Sequence, residues 1–147
     1  MSVRLLDVNI LVSLLDGAHV YHALSAAWFR REAVAAGWAT CPQTENAFIR
    51  VVTNAAYPNF RVTPAMAARN LGGLKSAFPG AWRFWPDDIS LNDAGLFDLS
   101  PLIGSKQITD AYLAGLAHRN SGRFATIDAA IPWTAVRGAT ASLIERI

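Results

Sequence analysis

Two aspartates stand where short apolar runs stop: Asp7 after residues 3–6 and Asp128 after residues 124–127. An ionisable side chain at the end of an apolar strand is partly desolvated and adds no packing, so its placement asks for chemistry. Two further acids, Glu45 and Asp110, fall in the opening turns of helix-like segments. Each of these alone could simply complement a helix dipole. In a chain of alternating strands and helices, however, strand C-termini and the N-termini of the helices that follow lie at one sheet edge, where ligands bind. The four acids can therefore converge from positions far apart in sequence. Carboxylates gathered in this way hold one another's protons unless a cation intervenes. All-oxygen ligation selects a hard divalent ion, Mg²⁺ or Mn²⁺. Such an ion can lower the pKa of a bound water, coordinate a phosphate oxygen and stabilise a leaving oxygen, a combination suited to phosphodiester hydrolysis.

The elements that must position these acids can be read from the apolar pattern. Residues 3–6 predict a buried strand, followed by a brief helix over 9–15 that Gly17 stops. A helix is expected from about His22 to Ala36, with Leu24, Ala27, Trp28 and Val34 near helical spacing, and a second strand over 38–41. Thr44 is the expected N-cap of a helix in which Phe48, Val51, Val52 and Ala55 share a face. Thr63 followed by Pro64 is a strong start for the next helix, with Ala68, Leu71, Leu74 and Phe78 along its stripe. Residues 82–85 read as a third strand, and 92–99 as a short helix or irregular segment. Thr109 is expected to cap a helix through Ala117, before a fourth strand over 124–127 and a fifth over 135–139. This alternation predicts one α/β domain over residues 1–147, three layers deep, with a short, mostly parallel sheet flanked by helices.

Composition excludes several classes. The 147 residues are 52 % hydrophobic and only 16 % charged, which is incompatible with an intrinsically disordered chain. No window approaches the roughly 18 apolar residues of a membrane span, and the acid in MSVRLLD interrupts any secretory signal, so a soluble, cytoplasmic protein is expected. The single cysteine, Cys41, leaves no internal disulfide and no zinc ribbon, and reads as a small buried hydrophobe. Gly72 and Gly73 lie in a helical pattern without the lysine of a phosphate loop, and no serine has the glycine context of a nucleophile elbow.

The segments LLDVNILVSLL, TCPQTENAFIRVVTN, FWPDD, QITDAYLAGLA and FATIDAAI, in this order along nearly the whole chain, resemble the PIN-domain ribonucleases, in particular the VapC toxins of bacterial toxin–antitoxin pairs. The resemblance implies that Asp7, Glu45, Asp110 and Asp128 are the acids that hold one or two Mg²⁺ or Mn²⁺ ions against an RNA phosphodiester. It implies that Asn9 and Thr126 are the polar residues orienting that cluster. It also implies a cognate antitoxin that masks the site, a homodimer, and a toxin–antitoxin hetero-oligomer without membrane association. The loop carrying HRNSGR, between Ala117 and Phe124, is longer and more basic than the compact glycine turn often found there.

His19 and His22 read as capping or surface groups, and His118 as a cation at a helix end. Arg50 is a candidate contact to an RNA backbone at the rim of the site, although a solvated arginine is the plainer reading, and Asn54 faces away from Glu45 on a regular helix. Trp28 and Phe29 point about 100° apart on a regular helix, so they share one core only if it is broad; an interface is the alternative. Asp87, Asp88, Asp93 and Asp98 read as turn and surface acids, with Asp93 the one worth testing. If the quartet is neutralised by metal, seven acids remain against thirteen basic residues, eleven of them arginine. Such a surface attracts phosphate. The competing readings are an RNA-binding or scaffold domain without turnover and an aspartyl-phosphate phosphatase. The latter needs a second acid two residues after Asp7, where Asn9 stands.

Overall fold

Leu5 and Leu6, successive residues of the first strand, enter two different hydrophobic cores and are both fully buried. The period of two in a strand sends them to opposite faces, and both faces are covered. In the computed structural model, which describes residues 2–147, that strand is β1 (Arg4–Leu6), at the centre of a five-stranded sheet. The others are β2 (Trp38–Thr40), β3 (Trp82–Phe84), β4 (Arg123–Thr126) and β5 (Ile144–Arg146). Every pairing is parallel and the spatial order is β3-β2-β1-β4-β5. The chain thus builds outward from β1 on one side, then returns to add β4 and β5 on the other.

Helices α1 (Val8–Leu15), α2 (His22–Trp28), α4 (Pro42–Thr53) and α5 (Pro64–Ala77) supply the core around Leu6, Ala125 and Trp38, with α3 (Val34–Ala36) as a last turn after α2. Helix α6 (Ile108–Arg119) buries an unbroken run from Ala111 to Ala117 in the other core, against Leu5, Phe124 and Phe97. The result is the expected α/β/α arrangement, with a sheet that is wholly parallel.

Between α2 and α3 the chain makes a π turn over Phe29–Ala33. The wider turn lets adjacent Trp28 and Phe29 enter the same core, 5 % and 3 % exposed, so no interface is needed to explain the pair. Phe29 packs edge-on against Trp38, with ring centroids 5.3 Å apart, and Trp28 Nε1 donates to Glu145 at 2.7 Å. Leu24 and Ala27 of the expected stripe are exposed, and Ser25 is buried in their place, bonded to Ser13 at 2.6 Å.

Three local expectations need correction. Helix α4 is capped by Cys41, not by Thr44; Thr44 sits three residues in, where its Oγ1 accepts from Cys41 N and donates to Cys41 O, both at 3.1 Å. Thr109 makes no cap, because a 3₁₀ turn over Ser105–Gln107 leads directly into α6. Residues 135–139 form no strand. They begin at the last residue of a 3₁₀ turn over Trp133–Ala135, make an isolated antiparallel bridge between Val136 and Phe97, and turn at Gly138 with φ 78°. The HRNSGR loop closes compactly as a Schellman motif: Ser121 N donates to His118 O at 3.0 Å and Gly122 N to Ala117 O at 2.8 Å. Ser121 takes the left-handed position at φ 55°, while the glycine falls one residue later, where a Cβ would stand 2.6 Å from both Trp85 and the Val3 carbonyl.

Candidate metal centre at the switch between strands

The direction of sheet growth reverses between β1 and β4, and a crevice opens beyond the carboxyl ends of two strands at such a point. Asp7 immediately follows β1 and Asp128 lies two residues beyond β4. Asp110, in the first turn of α6, completes an acidic lining; Val8, Asn9, Gln43, Thr44, Arg50 and Thr109 line the same cavity, of about 320 Å³.

Asp7 is the N-cap of α1: its Oδ1 accepts from Val8 N at 2.7 Å, and its side chain is almost fully buried. Thr126, the last residue of β4, donates its hydroxyl to Asp7 Oδ2 at 2.6 Å. The same Oγ1 accepts from Asn9 Nδ2 at 3.2 Å and from Asp128 N at 3.0 Å. Asn9 Oδ1 in turn accepts from Ile127 N at 3.3 Å. Asn9 and Thr126 are thus placed where they orient Asp7 and the backbone of Asp128.

Burial pushes the Asp7 carboxyl up to about 6, and the charges of Asp110 and Asp128 add to the shift, while the bonds from Thr126 and Val8 oppose it. Asp110 is also raised, by burial first and then by Asp128. Among the described residues, no ion pair reaches any of these three carboxylates. The carboxylates feel one another's charge, yet no closed set of three or more ligating side chains is gathered among the described residues.

Glu45 stands apart. Its Oε2 accepts from Thr40 Oγ1 at 2.5 Å and pairs with Lys75 Nζ at 2.8 Å, and it does not line the cavity. Lys75 and Thr40 are neighbours of Glu45 that the sequence does not single out, since Lys75 lies thirty residues away on another helix. Arg50 is exposed and lines the cavity, whereas Asn54 caps the far end of α4 and bonds to Ala56 N. His22 Nδ1 lies 2.8 Å from the Ser13 carbonyl and His19 Nδ1 accepts from Tyr21 N, so the two histidines have separate local roles. Asp93 holds its own turn by accepting from Gly95 N at 2.9 Å. Burial pushes the Cys41 thiol up to about 11, in keeping with an inert core residue.

A parallel α/β domain with carboxylates at its switch point falls in the class of open α/β folds that bind ligands beyond the carboxyl ends of their strands. No model of a known protein family matches the chain. Individual relatives do: Ribonuclease VapC44 of Mycobacterium tuberculosis is 42 % identical over 137 residues, covering 92 % of this chain and 93 % of the relative. Ribonuclease VapC38 of the same organism is 42 % identical over 127 residues, 86 % of each chain, and Ribonuclease VapC39 is 36 % identical over 141 residues, 96 % of each. The chain belongs to the VapC family of PIN-domain proteins.

Proposed function

We propose that this protein is the toxin of a toxin–antitoxin pair, a metal-dependent endoribonuclease that hydrolyses RNA phosphodiester bonds in the cytoplasm. The observation that carries the reading is the buried Asp7 carboxyl, which lines one cavity with Asp110 and Asp128 and is reached by no ion pair among the described residues. That arrangement fits a hard divalent ion, because an ion would relieve both the desolvation and the mutual repulsion. Asp7, Asp110 and Asp128 would hold Mg²⁺ or Mn²⁺, which supplies an activated water and a polarised phosphate oxygen.

The chain's own residues supply orientation. Thr126 and Val8 N fix both Asp7 oxygens, and Asn9 fixes the Thr126 hydroxyl. Exposed Arg50 offers a fork to a backbone phosphate at the rim. The names of the relatives support RNA as substrate, and the VapC kinship supports a cognate antitoxin as partner; a homodimer belongs to the same proposal. No helix is long and apolar enough to cross a membrane among the described residues. The deciding experiment is cleavage of single-stranded or looped RNA with added Mg²⁺ or Mn²⁺. Wild-type protein should cut and Asp7→Asn should not, while circular dichroism shows both folded. Equal cleavage by the variant would remove Asp7 from the site, and binding without cleavage by the wild type would favour an RNA-binding domain without turnover.

A further inference from the structure

Arg50 reaches the acidic cavity from helix α4, which follows β2. A second arginine stands on the other flank, on the edge strand β5. Arg146 is in register with Thr126, the hydroxyl bonded to Asp7. Its Nε donates at 3.3 Å to the carbonyl of Ile127, the residue immediately before Asp128. The terminal nitrogens of its fork have no hydrogen-bond or ion-pair partner among the described residues, and the side chain is exposed. Arg146 also lines a second cavity, of about 410 Å³, together with Arg4, Arg31 and Arg123. Those three are taken up by carboxylates: Arg4 and Arg123 by Glu145, and Arg31 by Glu32. Among the described residues, Arg146 is therefore the cation of that cavity without an acidic partner, and it is the one tethered beside Asp128. A free surface arginine loses much side-chain entropy when it binds. Here the Nε bond already restrains the guanidinium, so less remains to be lost when a ligand arrives.

We propose that Arg146 is a second phosphate contact of the site, on the opposite flank from Arg50, so that a single-stranded RNA backbone crosses the carboxyl edge of the sheet from α4 to β5. The inference deepens the nuclease reading above and rests on RNA as the substrate of the acidic cavity. In the order β3-β2-β1-β4-β5 the strands β2 and β5 are three neighbours apart, about 14 Å at about 4.8 Å per neighbour. The two forks therefore hold different phosphates of one strand, with Asp7, Asp110 and Asp128 between them. A planar fork with both terminal nitrogens unengaged is the donor that meets two phosphate oxygens at once.

Fluorescence anisotropy of a labelled, mixed-sequence oligoribonucleotide of about twelve nucleotides tests this, in the full chain carrying the cleavage-deficient Asp7→Asn change. Arg146→Gln should weaken binding severalfold at low salt and make the plot of log affinity against log salt shallower by about 0.7. Arg146→Lys should keep the slope, and Arg146→Gln combined with Arg50→Ala should lower it by about 1.4. Arg69→Gln removes an exposed arginine of α5 that lines neither cavity, and should leave the slope unchanged. Circular dichroism melting reports the folding of each variant, and Arg146→Met repeats the first arm should the glutamine variant melt early. An unchanged slope without Arg146 overturns the proposal; if wild-type protein with Mg²⁺ still cuts RNA, the nuclease reading stands and Arg146 is left to a protein partner. An equal loss in Arg69→Gln also overturns it, since net charge alone would then set the affinity, and so does failure of the Asp7→Asn protein to bind the oligomer. A slope made shallower by Arg146→Gln in a protein whose wild type never cuts supports the path and removes turnover, which keeps the two failures distinct.

Discussion

Thr126 donates its hydroxyl to Asp7 Oδ2 at 2.6 Å across the β1–β4 pair, tying together the two strands between which the sheet changes direction. The bond lies where two adjacent strand ends lead into different halves of the chain. It also places a single hydroxyl between Asp7, the Asn9 amide and the Asp128 backbone. Strand pairing therefore positions Asp7 directly, since the residue follows β1 with nothing between them.

Replacing Thr126 by valine keeps the shape and removes that hub. Asp7 loses a bond that favours its charged form, so its carboxyl rises further and the acid limb of RNA cleavage moves to higher pH. Stability should fall by about 2 kcal/mol in urea denaturation, because buried polar groups lose their partner. Thr126→Ser, which keeps the hydroxyl, should restore both the pH profile and most of the stability.

The raised Asp7 carboxyl also makes metal-free stability depend on pH. Its folded value of about 6 lies above the ordinary 3.8, so the folded state binds the proton more tightly than the unfolded chain. The associated stability is complete below pH 4 and is lost as pH rises through about 6. The loss amounts to about 3 kcal/mol. Asp7→Asn removes this dependence, so in a chelator its stability relative to wild type should improve between pH 4 and pH 7.5. Guanidinium denaturation at the two pH values checks this; a constant difference would show that Asp7 is not strained by its surroundings.

The strands that carry Asp7 and Asp128 were readable because each is an apolar run cut short by an acid, and those are the signals that burial at a parallel-sheet centre produces. The fifth strand was not. Residues 135–139 are apolar enough to suggest it, but β5 is Ile144–Arg146, whose charged Glu145 reads as surface until its partners from β1 and β4 are known. The π turn that reconciles Trp28 with Phe29 was equally hidden, since a one-residue change of helical register leaves the residue pattern unchanged. At the site, the three aspartates followed from strand ends and a helix start. The Glu45 engagement did not, because it depends on how α5 packs across α4 and delivers Lys75.

Glu145 offers a test of the fold away from the acidic cavity. It accepts from Arg4 at 3.2 Å, from Trp28 Nε1 at 2.7 Å and from Arg123, and its side chain is 13 % exposed. Glu145→Gln leaves Arg4, itself 9 % exposed, with only the half-exposed Glu32 carboxylate, 3.9 Å away, to balance its charge. Breaking one partner of such a pair should cost about 3 kcal/mol. The measurement is again chemical denaturation, and RNA cleavage assayed well below the melting point should remain at the wild-type rate.

Arg50 separates substrate binding from stability. It is exposed, lines the acidic cavity, and makes no ion pair or side-chain hydrogen bond among the described residues. An unengaged guanidinium at the mouth of an acidic site is well placed for phosphate, because the fork meets two oxygens at once. Arg50→Ala should leave the unfolding free energy within about 0.5 kcal/mol of wild type. Binding of single-stranded RNA, measured with the cleavage-deficient Asp7→Asn background, should weaken severalfold at low salt. The plot of log affinity against log salt should become shallower by about 0.7, the amount expected for one phosphate contact on a single strand. Arg50→Lys should keep the salt slope and lose part of the affinity, since a point charge replaces a bidentate donor. An unchanged slope in Arg50→Ala would place the RNA backbone elsewhere on the basic surface.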